Sequence, residues 1–188
     1  MGIMQLAEQA LSEIESISAE DAVARKDSGE LVFVDVRDIR EVEKSDTISG
    51  SHHAPRGMIE FWFDPESPYY RDIYGEKDKT YVLFCNGNPR SALSAKALKD
   101  MGIANVAQLK GGMPAWRDAG GTLELPWLSF IWGALDMRAN GTMALDQRMR
   151  PLGALTADIR GFEEALGALV EAGILRREML PASRVTLN

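Results

Sequence analysis

Thr80-Tyr-Val-Leu-Phe84, then Cys85-Asn86-Gly87-Asn88-Pro89-Arg90-Ser91, then Ala92-Leu-Ser-Ala-Lys-Ala-Leu-Lys-Asp-Met-Gly102, is the most informative run in the chain. A β-branched and aromatic run of strand length enters a turn of Asn, Gly and Pro. An Ala/Leu-rich helical pattern leaves the turn and stops at Gly102. The only cysteine of the chain therefore stands where a buried strand ends and a helix begins. The first helical turn leaves backbone N–H groups without intrahelical acceptors and carries partial positive charge, so an anion centred on Cys85 is stabilised there. A thiolate is such an anion, and it is the nucleophilic form of cysteine. Arg90, at the start of the helix, can clamp the loop or hold an anionic substrate through paired donors.

Cys85-x-x-x-x-Arg90-Ser91 after a hydrophobic strand resembles the active-site loop of the rhodanese family of sulfurtransferases. Three other stretches match in order: Leu31-Val-Phe-Val-Asp35-Val-Arg37 with Glu41, the turn region 50–57, and Leu109-Lys-Gly111-Gly112-Met-Pro-Ala-Trp116. Together they cover about residues 17–124, and four motifs in register are a far more specific signal than one. The resemblance implies a catalytic pair, Cys85 and Arg90, and a loop of Asn86, Gly87, Asn88, Pro89 and Ser91 that binds substrate and a cysteine persulfide. It also implies that Asp35 and Arg37 brace the active-site loops, although a strand-end ion pair that only holds a turn is an equal reading. Arg56 is either an extra contact for an anionic substrate or a surface ion pair. The implied reaction moves a sulfane sulfur from a thiosulfate-like donor to cyanide or a thiol through a Cys85 persulfide, with no metal and no organic cofactor.

The spacing bears on the chemistry. Cysteine-based phosphatases of related fold place five residues between Cys and Arg, which makes a cradle wide enough for a tetrahedral phosphate. Here there are four, a ring that suits a single sulfur bonded to the thiol. Asn88 stands where the family often carries Gly, and Asn tolerates left-handed backbone angles better than most residues. Pro89 has no N–H, so the cradle loses one donor and modest thiosulfate activity is expected. Three alternatives stay open: an inert buried thiol, a non-catalytic rhodanese-like binding or sensory module, and a phosphatase, which the loop length disfavours.

Composition sets bounds. The 188 residues are 45% hydrophobic and 26% charged, enough for one moderate core and a small appendage. A net charge of −7 argues against nucleic acid or an anionic membrane as partner. One cysteine excludes an internal disulfide, and two histidines leave little for zinc. The start of the sequence has neither a basic region nor a long apolar core, and no apolar run reaches the ~20 residues of a membrane span. A soluble cytoplasmic protein is expected.

Along the chain, Ile3, Leu6, Ala10, Leu11, Ile14 and Ile17 mark an additional N-terminal helix over 1–17. Ser18 with Asp21 starts a second helix. Residues 31–36 form a strand buried on both faces. Short helices are expected over 38–44, 57–63 and 114–120 and a strand over 105–109, with a long aperiodic connection over 64–79. Tyr69, Tyr70 and Arg71 within it either overhang the active-site mouth or simply pack. Neither His52 nor His53 is assigned a catalytic role. Alternating strands and helices predict an α/β fold with a central parallel sheet of about five strands and helices on both faces, over 1–124. Residues 125–188 hold seven Arg against seven Asp plus Glu. Trp127, Leu128, Ile131, Trp132 and Leu135 suggest one helix there, residues 156–173 a second, and 174–187 a small hairpin. This mainly helical extension is expected to cover the core or build a homodimer, or to be the partner surface of a binding module.

Overall fold

The computed structural model describes residues 1–145 and 150–174. Five strands, β1 (Glu15–Ile17), β2 (Leu31–Asp35), β4 (His52–His53), β5 (Thr80–Phe84) and β6 (Val106–Leu109), form one sheet in the order β1-β6-β5-β2-β4. All its pairings are parallel. The central strand β5 runs in register with β2 from Leu31 opposite Thr80 to Asp35 opposite Phe84. It needs apolar residues at every position because helices cover both faces. Val82 and Phe84 enter one core with Phe33, Leu109, Met113 and Trp116; Tyr81 and Leu83 enter the other with Val34, Ile59, Phe63, Ala95 and Leu98. Helices α2 (Ala19–Arg25) and α6 (Gly112–Asp118) supply the first face, α4 (Ile59–Phe63) and α5 (Pro89–Asp100) the second. The predicted α/β architecture is thus present.

Local signals place these elements. Ser18 accepts the Asp21 N–H at 3.1 Å and caps α2. A capping box of Asp38 and Glu41 opens the short α3 (Ile39–Val42). The N-terminal helix α1 (Ile3–Glu13) ends four residues earlier than the apolar stripe suggests, because Ile17 belongs to β1 and pairs with Leu109. Its buried side chains are Ala7 and Ala10, small enough for α1 to lie close against α5, whereas Ile3 and Leu6 are exposed. In the connection 64–79, Tyr74 stacks on Phe63 at 4.2 Å, Tyr69 meets Phe61 edge-on, and Arg71 lies over the Trp62 ring.

The chain divides into two compact units, Met1–Pro126 with Thr142–Ala154, and Trp127–Gly141 with the chain from Leu155. The mainly helical extension is corrected. Strands β7 (Leu123–Trp132), β8 (Leu135–Leu145) and β9 (Pro151–Arg160) follow β3 (Thr47–Ile48) in a second sheet, β3-β7-β8-β9, and only α7 (Phe162–Glu171) is helical. Trp127, Phe130, Ile131 and Trp132 are aromatic and β-branched strand formers, and Gly133, at φ 58°, turns the chain into β8. The second expected helix begins only at Phe162, after Gly161 at φ 68°. The expected hairpin over 174–187 lies outside the described residues, save Ile174. Among the described residues no helix is long and apolar enough to cross a membrane.

Candidate active site

The site gathers at the carboxyl ends of β2 and β5, where parallel sheets place their functional loops. Cys85 follows β5 directly and is 2% exposed. Its side chain belongs to the core on the α5 face, and its polar neighbour is Ser91, whose Oγ lies 3.7 Å from Sγ. Ser91 Oγ is also 3.1 Å from Asn88 O and 3.2 Å from Gln108 Oε1, and Gln108 Nε2 donates to Ser16 Oγ at 3.1 Å. Sγ therefore sits between an apolar floor and a chain of hydroxyl and amide groups.

Between Cys85 and α5 lie Asn86, Gly87 and Asn88, with Pro89 at the first helical position, where a missing N–H costs the helix nothing. Among the described residues no partner accepts the backbone N–H of Asn86, Gly87 or Asn88. Asn88 Oδ1 instead accepts from Gly111 N at 2.8 Å, and Cys85 O accepts from Met113 N at 2.9 Å. Both bonds tie the loop to the start of α6. Gly112 makes that approach feasible: at φ 61° it is left-handed, and a Cβ there would stand 2.3 Å from Cys85 O and 2.5 Å from Gly87 O.

Arg90 reaches back across the loop to Glu41. Nη1 bonds Oε1 and Nη2 bonds Oε2, the latter at 2.9 Å. Asn86 Nδ2 also donates to Glu41 Oε2, at 3.2 Å, so one carboxylate grips the first and last residues between Cys85 and Ser91. The clamp holds the Glu41 carboxyl below its ordinary range, chiefly through the Arg90 hydrogen bonds, with partial burial working the other way. Arg90 is raised chiefly by the same bonds, and Cys85 adds a smaller contribution, which makes Arg90 the charged neighbour of the thiol.

Asp35 and Arg37 form a wholly buried pair. Arg37 Nε and Nη2 donate to Asp35 Oδ1 and Oδ2 at 2.9 and 2.6 Å, and Thr47 Oγ1 donates to Oδ2 at 2.9 Å. Nη1 reaches Ser45 Oγ and, at 3.3 Å, Asn86 Oδ1. The pair is therefore linked to the Cys85 loop through Asn86 and does not itself reach the sulfur. His53 Nε2 donates to Arg37 O at 2.8 Å, a holding role. Arg56 is not brought to the loop: Glu60 takes its guanidinium at 2.6 Å, one turn on in α4. No described residue of the tyrosine-bearing connection hydrogen-bonds the loop either. Glu41 and Gln108 are the partners that residue-by-residue reasoning left without a role. The Asp38-x-x-Glu41 capping pattern was a visible signal for Glu41; nothing local marked Gln108. Among the described residues no group of three or more His, Cys, Asp or Glu could hold a metal ion.

Comparison with known proteins places this geometry. A Rhodopseudomonas palustris CGA009 protein of unknown function, described as a possible tyrosine phosphatase, is 48% identical, with a TM-score of 0.61 over 64% of this chain and 92% of its own. A thiosulfate sulfurtransferase from Pseudomonas aeruginosa is 26% identical, with a TM-score of 0.54 over 63% of this chain and 22% of its own. None of the curated proteins matches. The model of a family described only as an uncharacterized protein conserved in bacteria (DUF2125) matches residues 89–188, overlapping the end of the site-bearing region. The model described as Rhodanese-like domain matches residues 18–119, more than half the sequence and every element that builds the Cys85 loop, so the chain belongs to the rhodanese-like domain family.

Proposed function

We propose that the protein is a sulfurtransferase that carries a sulfane sulfur on Cys85. The observation that carries the reading is the loop itself: a lone thiol at a strand end, followed by three successive backbone N–H groups that have no acceptor among the described residues, and the first turn of α5. Such donors stabilise charge on an atom bonded to Sγ. The Cys85 thiolate attacks the outer sulfur of a thiosulfate-type donor, a new S–S bond forms, and sulfite leaves with the electron pair of the broken bond. Cyanide in an assay, or a thiol, then attacks the terminal sulfur, and the Cys85 thiolate is the leaving group. At 2% exposure Cys85 is closed to a donor in this state, so turnover includes an opening of the surroundings of the thiol.

The description of the Rhodopseudomonas neighbour supports a second reading, a tyrosine phosphatase. Against it stand the four-residue spacer and the engagement of both Arg90 Nη atoms by Glu41, which leaves little to bind a dianionic phosphate. A binding module without turnover is the third. Intact mass separates them. On incubation with thiosulfate the protein is expected to gain one sulfur, about 32 Da, to lose it to cyanide, and to gain nothing as Cys85→Ala, a complete loss of transfer. Release of phosphate from an aryl phosphate, with no sulfur gained, would replace the reading with the phosphatase.

A further inference from the structure

At the amino ends of β5 and β6, the length of the central strand away from Cys85, lies a cavity of about 360 Å³. That is the small end of the ~300–1,000 Å³ range of ligand sites, which combine apolar walls with a few placed polar groups. Phe63, Pro65, Tyr70, Tyr74 and Ile103 give this one aromatic and apolar walls. Gly75 lets the Tyr70 hydroxyl lie against the backbone, since a Cβ there would stand 2.1 Å from Oη. Two buried tyrosines of this region differ in their hydroxyls. Tyr81 Oη donates to Ile73 O and accepts from Glu76 N, both at 2.9 Å. Tyr74 is 5% exposed, yet its hydroxyl has no hydrogen-bond partner among the described residues. None of the described side-chain N or O atoms is both enclosed and unpartnered, so Tyr74 Oη opens onto free space, and the cavity is the free space that Tyr74 lines. Burial pushes this phenol up to about 12, so it stays protonated and offers a donor. Charge at the lining is one-sided as well. Lys79 takes the Glu76 carboxylate at 2.6 Å, while Lys77, exposed, makes no ion pair among the described residues.

We propose that this cavity is a binding site for a small planar aromatic carboxylate, with its ring among Phe63, Tyr70 and Ile103 and its carboxylate accepting from the Tyr74 hydroxyl within the field of Lys77. Flat apolar walls do nothing for a compact inorganic anion, which gains nothing from apolar surface. A neutral aromatic ligand leaves the Lys77 charge unanswered. The Tyr74 hydroxyl fixes the orientation: it is a donor already withdrawn from bulk water, so an acceptor that reaches it gains a hydrogen bond without displacing one inside the protein. The site stands apart from the Cys85 loop and holds whichever reaction that loop performs.

The test follows backbone amide NMR shifts of the full chain during titration with 2-naphthoate and with its neutral counterpart, 2-naphthylmethanol. The naphthoate is expected to bind with a Kd of about 0.1–1 mM, shifting the amides of Gly75, Lys77 and Ile103 and leaving those of Cys85 and Arg90 in place. Tyr74→Phe should weaken it about tenfold, the loss of one hydrogen bond to a charged group. The same substitution should not lower the unfolding midpoint in urea, because an unpartnered hydroxyl stabilises nothing. Lys77→Ala should weaken naphthoate about threefold, and the alcohol should bind wild type at least about threefold more weakly than the acid. No saturating shift at these amides below about 10 mM, or shifts confined to the Cys85 loop, overturns the site. So does undiminished affinity in Tyr74→Phe, or a lowered midpoint, which would mean that the protein itself holds the hydroxyl. Equal binding of acid and alcohol overturns the carboxylate.

Discussion

Trp116 and Trp132 belong to two regions built on different terms. Trp116, in α6, is wholly buried, meets Phe33 edge-on at 5.1 Å, and donates its Nε1–H to Thr122 O at 3.2 Å. Trp132, at the end of β7, is 50% exposed. The contrast extends to everything around them. The parallel sheet is covered on both faces and buries most of its side chains. From residue 127 onward only Ala139 and Ala165 are buried among the described residues, and every residue of β9 is exposed. Chemistry that depends on sub-ångström placement belongs in the first region, because only packed neighbours on all sides hold a loop in one conformation. The Cys85 loop has them: β5 behind it, α5 after it, and the start of α6 bonded to it.

The sharpest way to break this comparison is at Trp116. Trp116→Ala is expected to cost about 3–5 kcal/mol, since it removes the largest buried side chain of its core and leaves a cavity. Against a total stability of about 5–15 kcal/mol that is a large fraction, read as a lower midpoint in urea or heat. A loss under about 1 kcal/mol would mean that the α6 face is not the packed core described.

A second probe pairs two glycines, one from each region. Gly112→Ala places a methyl against Cys85 O and Gly87 O at a left-handed φ of 61°, and is expected to cost about 2–4 kcal/mol from strain and crowding together. It should also lower the yield of Cys85 persulfide in the fraction that folds, because the loop must move. Gly133→Ala, at φ 58° with nothing within 4 Å of the new methyl, carries only the left-handed backbone cost of about 1 kcal/mol and leaves the yield unchanged. Equal losses at the two sites would show that backbone strain alone, and not contact with the loop, decides.

How much of this was legible in the sequence follows the same division. Residues 80–91 read correctly as strand, loop and helix start because a short apolar run bounded by Asn-Gly-Asn-Pro has few other solutions, and because Ser18 and Asp38 announce their helices by side-chain chemistry. The β7 segment did not. Trp127, Leu128, Ile131 and Trp132 fall on a helical period, and only the choice of bulky and β-branched residues, with Gly133 as a turn, favoured the strand. In the site, the link from Asp35 and Arg37 to the loop was legible only as a family trait. Glu41 and Arg90 are 49 residues apart, and that their side chains meet is a fact of β2 lying beside β5. Arg56 illustrates the converse, a cation near the motif that one turn of α4 commits to Glu60.

The smallest expected effect closes the comparison. Trp132→Ser removes an aromatic ring from a position already half in water, so the transfer of apolar area on folding that it forgoes is small, and the change in stability is expected to stay within about 0.5 kcal/mol. Persulfide formation at Cys85 should not change. The same substitution also tests whether the strand face is bare in solution. Phe130, Ile131 and Trp132 are all at least half exposed, more apolar surface than isolated side chains at a solvated face require. If a second copy of the chain covers them, as the homodimer expected of the extension would, Trp132→Ser costs well over 1 kcal/mol and the unfolding midpoint of the wild type rises with protein concentration, since association stabilises only the folded state. A concentration-independent midpoint together with a near-neutral substitution leaves the two regions as different as Trp116 and Trp132 make them, one stabilised by burial and the other by its strand pairing.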